Sequence, residues 1–219
     1  MKTYNEKTGE LIESPDLDAG YVYPGQRYIG TKRVTLERTA ELYPPNGLQY
    51  EVPVYEDCQL YHAYTEEDKQ AALSSKLEEL SAACEASINA GTKVKFSDGS
   101  ERVVTYDIKD QANIKELFDV VRMGAPAYLF HTPSGDCMMY SATDIKAMYS
   151  TLAGYKTAQL TYHNKLKKYV NSLETVPAIQ AVKYGDPLTG EYLEDYNTLI
   201  AEAEAVQQAL LQGVTQGAG

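Results

Sequence analysis

The chain has 219 residues, a formal net charge of -11 and a pI near 4.8, so it lacks the cationic surplus with which most nucleic-acid-binding proteins engage phosphates. Hydrophobic residues at 43% and charged residues at 23% fall in the ordinary globular range and exclude wholesale disorder. No apolar run is long enough to span a membrane, and the start through Lys2, Tyr4, Asn5, Glu6 and Lys7 lacks the apolar core of a signal peptide, which predicts a protein made in, and initially staying in, a cytoplasm.

Residues 1–64 are rich in turn formers and short β-prone runs, and are expected to form a β-rich arm. Thr8-Gly9, between Tyr4 and Leu11-Ile12, predicts a tight turn, while Ser14-Pro15-Asp16, Pro24-Gly25 and Pro44-Pro45-Asn46-Gly47 read as punctuation. Strands are expected over about 33–38 and 48–55, where Val34 and Leu36 alternate with polar neighbours. So little apolar surface leaves the arm in need of a partner or of the rest of the chain to order it.

Thr65 followed by Glu66, Glu67 and Asp68 reads as a helix start, with a hydroxyl for the free amides and acids at the positive end of the dipole. The helix runs to about Asn89 with Leu73, Leu77, Leu80, Cys84 and Ile88 on one stripe, and Gly91 ends it. Val94 and Phe96, the pair Asp98-Gly99 and the returning residues 103–106 form a hairpin signal. Residues 111–123 carry Ile114, Leu117, Phe118 and Val121 at helical spacing up to Gly124. A second hairpin is expected from 127–131 and 137–140 around Pro133-Ser134-Gly135-Asp136.

The longest periodic stretch, 142–173, aligns Ile145, Met148, Tyr149, Leu152, Tyr155, Tyr162, Leu166, Tyr169 and Leu173, with Thr143 and Asp144 expected to cap it. Lys156, Lys165, Lys167 and Lys168 fall on its other side and read as a solvated face. Past Pro177 comes a turn-rich connector, then a helix over about 195–211 with Leu199, Val206 and Leu210 toward a partner, and a frayed tail from Gly213. The predicted class is α+β, organised as a β-rich arm (1–64), a domain of two hairpins on long helices (65–175), and a connector with a C-terminal helix (176–219) that docks back or mediates self-association.

Reactive chemistry is not visible. His62, His131 and His163 lie on different predicted elements, and Cys58, Cys84 and Cys137 have no metal-ligand spacing, so reduced structural thiols are expected. No phosphate loop, dinucleotide fingerprint or nucleophile turn is present, and His131 with Ser134 and Asp136 is explained by a turn. The acids Glu66, Glu67 and Asp68, and Glu191, Glu194 and Asp195, fall at helix starts where acids belong. The expectation is no enzyme activity, no catalytic residue, no cofactor and no metal.

What stands out is Tyr 19 against Phe 3 and Trp 0. Tyrosine buries a ring while keeping its hydroxyl wet or paired, so it serves both contact surfaces and amphipathic element faces. Tyr21, Tyr23, Tyr28, Tyr50, Tyr55, Tyr155, Tyr162 and Tyr169 are the candidate interaction residues.

An ordered set of features then supplies a resemblance: a helix ending near Gly91, the hairpin Val94-Lys95-Phe96-Ser97-Asp98-Gly99, Tyr106-Asp107, the run Gln111-Ala112-Asn113-Ile114, a strand pair ending at Tyr140, and Ser141-Ala142-Thr143-Asp144-Ile145 opening a long helix that contains His163. Residues 77–173 thereby resemble a domain family found in many phage tail-fibre assembly proteins and small tail-module proteins. The N-terminal run from Tyr4 to Leu17, with Tyr55-Glu56-Asp57 and Tyr64-Thr65-Glu66-Glu67, is similar to small proteins encoded beside receptor-binding genes in phages of Gram-positive bacteria. The resemblance implies a tail-fibre chaperone or accessory factor in the host cytoplasm during assembly. The alternative it leaves is a structural component of the virion tail tip or baseplate. The implied partner is a tail fibre or receptor-binding protein, with a homo-oligomer as a further allowed state and with neither nucleic acid nor membrane.

Overall fold

Among the described residues of the computed structural model, which are 1–35, 49–131 and 137–216, the chain forms five helices and three small sheets, an α+β fold. The expected turns at Pro44-Pro45-Asn46-Gly47 and Pro133-Ser134-Gly135-Asp136, the end of the strand expected over 33–38, the last residues of the tail and the side chain of Leu210 lie outside the described part. Two compact units result: Met1–Ala71 with Thr175–Pro177, and Ala72–Glu174 with Ala178–Gly219.

The first unit holds one sheet of β1 (Thr3–Asn5), β2 (Leu11–Ile12), β3 (Gly20–Thr35) and β4 (Gln49–Ala63), in the order β2-β1-β4-β3. The Thr8-Gly9 turn forms as expected, with the Asn5 carboxamide oxygen accepting the N–H groups of Lys7 and Thr8 at 2.9 and 3.0 Å. Strands β3 and β4 are far longer than expected, pairing antiparallel from Gly20 opposite Ala63 to Thr35 opposite Gln49. Pro24-Gly25 therefore does not interrupt the chain, because β3 is the outer strand of the sheet. Pro24 faces Gln59 and Pro53 faces Thr31, two pairs of the same parity along β4. A strand tolerates proline where the N–H would point away from the ladder, and these prolines mark that parity. Among the described residues the buried apolar side chains of the sheet are few, Tyr4 and Cys58 on one face and Tyr61 on the other. The Tyr61 hydroxyl donates to the Asp16 carbonyl at 2.9 Å.

Helix α1 (Glu66–Ala90) starts with a reciprocal box: the Asp68 N–H donates to Thr65 Oγ1 at 3.2 Å, and the Thr65 N–H donates to the Asp68 carboxylate at 2.8 Å. Its end is set by Gly91, whose φ of 71° suits glycine and where a Cβ would collide with the Val104 carbonyl.

In the second unit, β5 (Thr92–Lys95) and β6 (Glu101–Val104) form the expected hairpin around Asp98-Gly99, and β7 (Ala127–His131) pairs with β8 (Cys137–Ser141) as the second. Helix α2 (Ile108–Arg122) begins three residues earlier than its apolar spacing predicts, because the Asp107 carboxylate accepts the Asp110 N–H. Helix α3 (Ala142–Asn171) is capped by Ser141, not by Thr143: Ser141 Oγ accepts the Asp144 N–H at 3.1 Å. Thr143 already lies within the first turn.

Two hydrophobic clusters fill this unit. One gathers Cys84, Ile88, Val94, Phe96, Ile114, Leu117, Val121, Phe130 and Tyr140 against Ile145, Met148 and Leu152 of α3. The other sets Leu80 against Leu166 and Val170 of α3, with Ile179, Val182 and Leu188. Ile179 belongs to α4 (Val176–Ala181), a short helix within the segment expected to be connector. Helix α5 (Gly190–Gln216) starts five residues before its predicted position and lies along α3, where the Gln207 carboxamide donates to the Ser150 carbonyl at 2.6 Å.

Polar contacts connect the quoted motifs. The Asp144 carboxylate accepts the Ser97 N–H at 2.7 Å, the Ser97 hydroxyl at 3.1 Å and the Ser141 hydroxyl at 2.7 Å, tying the first hairpin to the start of α3. Burial works to raise the Asp144 pKa, and these hydrogen bonds outweigh it and hold the carboxyl below its usual value. Gln111 bridges similarly, donating to the Tyr106 carbonyl at 2.9 Å and accepting Lys156 Nζ at 2.5 Å.

Ile145→Ala, at a fully buried position, is expected to cost about 3 kcal/mol in urea unfolding, in the range of large-to-small core changes. Asp144→Ala should cost about 2 kcal/mol by removing two cross-links to Ser97 and the acceptor that orients the capping Ser141 hydroxyl. Because the Asp144 pKa is lowered, its contribution is complete above 3.8 and fades as the pH falls through the folded value. The wild-type and Asp144→Ala unfolding midpoints should therefore converge in acid.

Candidate protein-interaction surface

The outer strand β3 and its partner β4 make a ribbon stabilised more by opposed side chains than by a core. Gln26 donates to Asp57 at 3.0 Å, Arg27 lies 3.8 Å from Glu56, and Arg33 lies 3.4 Å from Glu51. Tyr28 and Tyr55 meet edge to face with ring centroids 5.8 Å apart. All four pairs are directly opposite in the register, so each favours the same alignment of the strands. Strand β1 reaches only Gln59–Tyr61 of β4. Among the described residues, 49–58 of β4 thus pair with β3 alone.

At the middle of the ribbon Ile29 is an extra residue between Tyr28 and Gly30, a bulge whose φ of 145° falls on glycine. Tyr28, Ile29 and Tyr55 are 53%, 54% and 53% exposed, which makes an aromatic and aliphatic patch on a narrow support. Ile29 was not among the tyrosine-based candidates. A glycine after an isoleucine in a β-prone run is the one local signal of the bulge that exposes it.

The candidate tyrosines divide. Tyr21 and Tyr50 are exposed on the ribbon with Tyr28 and Tyr55. Tyr23 is half-buried, and its pKa is raised by burial and by the Glu6 carboxylate. On α3 the hydroxyls serve internal joints: Tyr155 donates to the Ser87 carbonyl at 3.2 Å, and Tyr162 to the Asp186 carbonyl at 2.8 Å. Tyr169 packs edge-on to Tyr192 at 5.8 Å. Tyr155 and Tyr162 form internal joints, because a hydroxyl entering a packed helical unit needs a partner and finds a carbonyl there, while Tyr169 contributes a ring contact.

The base of the ribbon carries its densest polar cluster. His62 Nδ1 lies 2.7 Å from Glu6 and Nε2 lies 3.2 Å from Asp68, with the Tyr21 ring 5.1 Å away. The bonds to Glu6 and then Asp68 raise the His62 pKa. Bonds from Thr65, then His62, hold Asp68 down at about 2. Both ring nitrogens therefore face carboxylates, an arrangement that suits an imidazolium clamp between β1, β4 and α1 better than a proton acceptor.

Elsewhere, His163 is buried with Nε2 lacking a hydrogen-bond partner, and burial pushes its pKa down. The side chain of His131 lies outside the described part. Cys58 and Cys84 are buried and Cys137 is exposed. Among the described residues no group of three or more His, Cys, Asp or Glu is placed to hold a metal ion, and no helix is long and apolar enough to cross a membrane. The lysine face expected on α3 is only partly solvated: Lys165 is buried and bonds Asp195 at 2.7 Å, while Lys156 bonds Gln111. Helix packing against α2 and α5 covers what periodicity alone leaves outside.

The clamp sets a pH dependence. A raised His62 pKa contributes stability that is complete below 6.5 and is lost as the pH rises through the folded value, whereas the Asp68 contribution is complete above 3.8 and is lost as the pH falls toward about 2. The imidazole resonances of His62 should titrate above 6.5, and Glu6→Gln should move the midpoint down. The stability difference between the chain and His62→Gln should shrink on the alkaline side.

Comparison with known proteins gives a family and no relative. No curated protein matches, and no solved structure matches. Residues 69–184 match the family model described as "Domain of unknown function (DUF4376)". That segment runs from the first turns of α1 through both hairpins and α3 to Tyr184, more than half of the sequence. The chain is a member of the DUF4376 family.

Proposed function

We propose that this chain is a bacteriophage tail-associated protein that binds a tail fibre or receptor-binding protein in the host cytoplasm and acts as an assembly chaperone or accessory factor. It works by strand pairing and aromatic contact, without a reactive centre. The observation that supports this most directly is the outer strand β3, whose 16 residues have, among the described residues, a strand neighbour on one side only. An open edge offers N–H and C=O groups to an incoming strand, and the Tyr28, Ile29 and Tyr55 patch offers it side-chain contact. Fibre proteins are rich in strands that are sticky before trimerisation, so a transient edge partner suits them.

The same strand carries features that disfavour pairing with its own copies. Pro24 removes one donor, the bulge at Ile29 twists the edge, and the strand's charged residues are Arg27, Lys32 and Arg33 with no acid, Arg27 and Arg33 facing Glu56 and Glu51 of β4. A second β3 would bring like charges together, whereas a strand with acidic side chains would not. This charge pattern favours a foreign partner.

The test is co-expression of the full chain with the fibre protein encoded beside it. The fibre should become soluble and co-elute with the chain. Thr31→Pro removes an outward donor at a position whose parity tolerates proline and, like Ile29→Lys, should lower co-elution by about tenfold. A fibre whose solubility and migration are unchanged by the chain overturns the proposal.

A further inference from the structure

The second unit contains a groove of about 860 Å³ between α3 and α5. Its floor is poor in side chains, with Ala153, Gly154 and Ala158 on α3 and Ala203 on α5. On its α5 side Leu199 and Val206 are 44% and 61% exposed. Seven residues apart, they lie on one stripe of the helix. The groove lining is mostly apolar, and its Gln207 carboxamide is engaged with the Ser150 carbonyl, so it suits an apolar ridge more than a small polar ligand.

Charge selects the occupant. Glu202 and Glu204 line the groove, and no lysine or arginine does among the described residues. All of α5 has five acids, Glu191, Glu194, Asp195, Glu202 and Glu204, and no lysine or arginine. A second copy laid parallel along this helix would set acids against acids, and an antiparallel copy centred on the helix would set Glu202 against Glu204 beside the groove. An amphipathic helix with lysine or arginine beside its apolar stripe would bury Leu199 and Val206 and meet the glutamates at the edge.

We propose that the α3–α5 groove binds an amphipathic helical segment of a partner protein whose polar face is basic. This surface is separate from the β3 edge and does not depend on the function proposed above.

The experiment uses the full chain and two fluorescein-labelled peptides of about eighteen residues in helical amphipathic order, one of leucine and lysine and the other of leucine and glutamate. The leucine-lysine peptide should bind, more weakly as salt rises, and the leucine-glutamate peptide should not. Leu199→Asp and Val206→Asp should each weaken binding about tenfold or more, with helicity by circular dichroism retained because both positions are exposed. These substitutions make an acidic chain more acidic, so generic attraction would strengthen where groove binding falls. Glu202→Lys with Glu204→Lys should also weaken it. Unchanged or tighter binding by Val206→Asp, equal binding of the two peptides, or no binding of either overturns the proposal. So does a dimer in sedimentation that Val206→Asp dissociates, which would give the groove to a second copy. Thr31→Pro should leave peptide binding intact, so failure here and failure at the β3 edge are read separately.

Discussion

Burial of apolar side chains along α3 is the constraint on which the helical unit depends. Ile145, Met148 and Leu152 enter one cluster, and Leu166 and Val170 enter the other. Helix α1 also reaches both, through Leu80 in the second and Cys84 and Ile88 in the first, but over a shorter span. Hairpins of four or five residues per strand have too little surface to persist alone. Here Val94, Phe96, Phe130 and Tyr140 are held because α3 and α2 close over them. The short α4 forms under the same influence, with Ile179 drawn against Leu166 and Val170.

The polar joints decide where this hydrophobic unit begins and turns. Asp144 accepts three hydrogen bonds, two from Ser97 and one from Ser141, and so fixes the hairpin turn to the first turn of α3. Gln111 spans Tyr106 and Lys156. These are the residues in the motifs that supply the resemblance, and their roles are physical: each satisfies groups that would otherwise be stranded at an element's end. The family match over 69–184 covers the same joints.

The ribbon of the first unit is built on another principle. Directly opposed pairs fix its register, and the sequence spends few buried apolar residues on it. A support of this kind keeps its edge and its aromatic residues available, whereas an equally long strand inside a core would not. At its base the His62 clamp holds β1 and α1 by charge, a device suited to a region with little hydrophobic area to bury.

Much of this was legible in local pattern. Leu80, Cys84 and Ile88 on α1, the Asp98-Gly99 hairpin, the stop at Gly91 and the stripe of α3 all follow from spacing and from residues with one preferred backbone state. Ser141 as the cap was one step from legible, since Ser-Ala-Thr-Asp places an acid three residues after the hydroxyl. What tertiary structure alone decided involves partners distant in sequence. Proline at Pro24 reads as a break until the sheet order makes β3 an outer strand. The burial of Lys165 depends on Asp195, thirty residues on. The tyrosines of β3 and α3 look equivalent in composition, yet helix packing turns Tyr155 and Tyr162 into joints, whereas Tyr28, met by Tyr55 across the ribbon, stays exposed. Local sequence determines what each segment tends to form; which face remains open depends on what else packs there, and that is set only when the whole chain has folded.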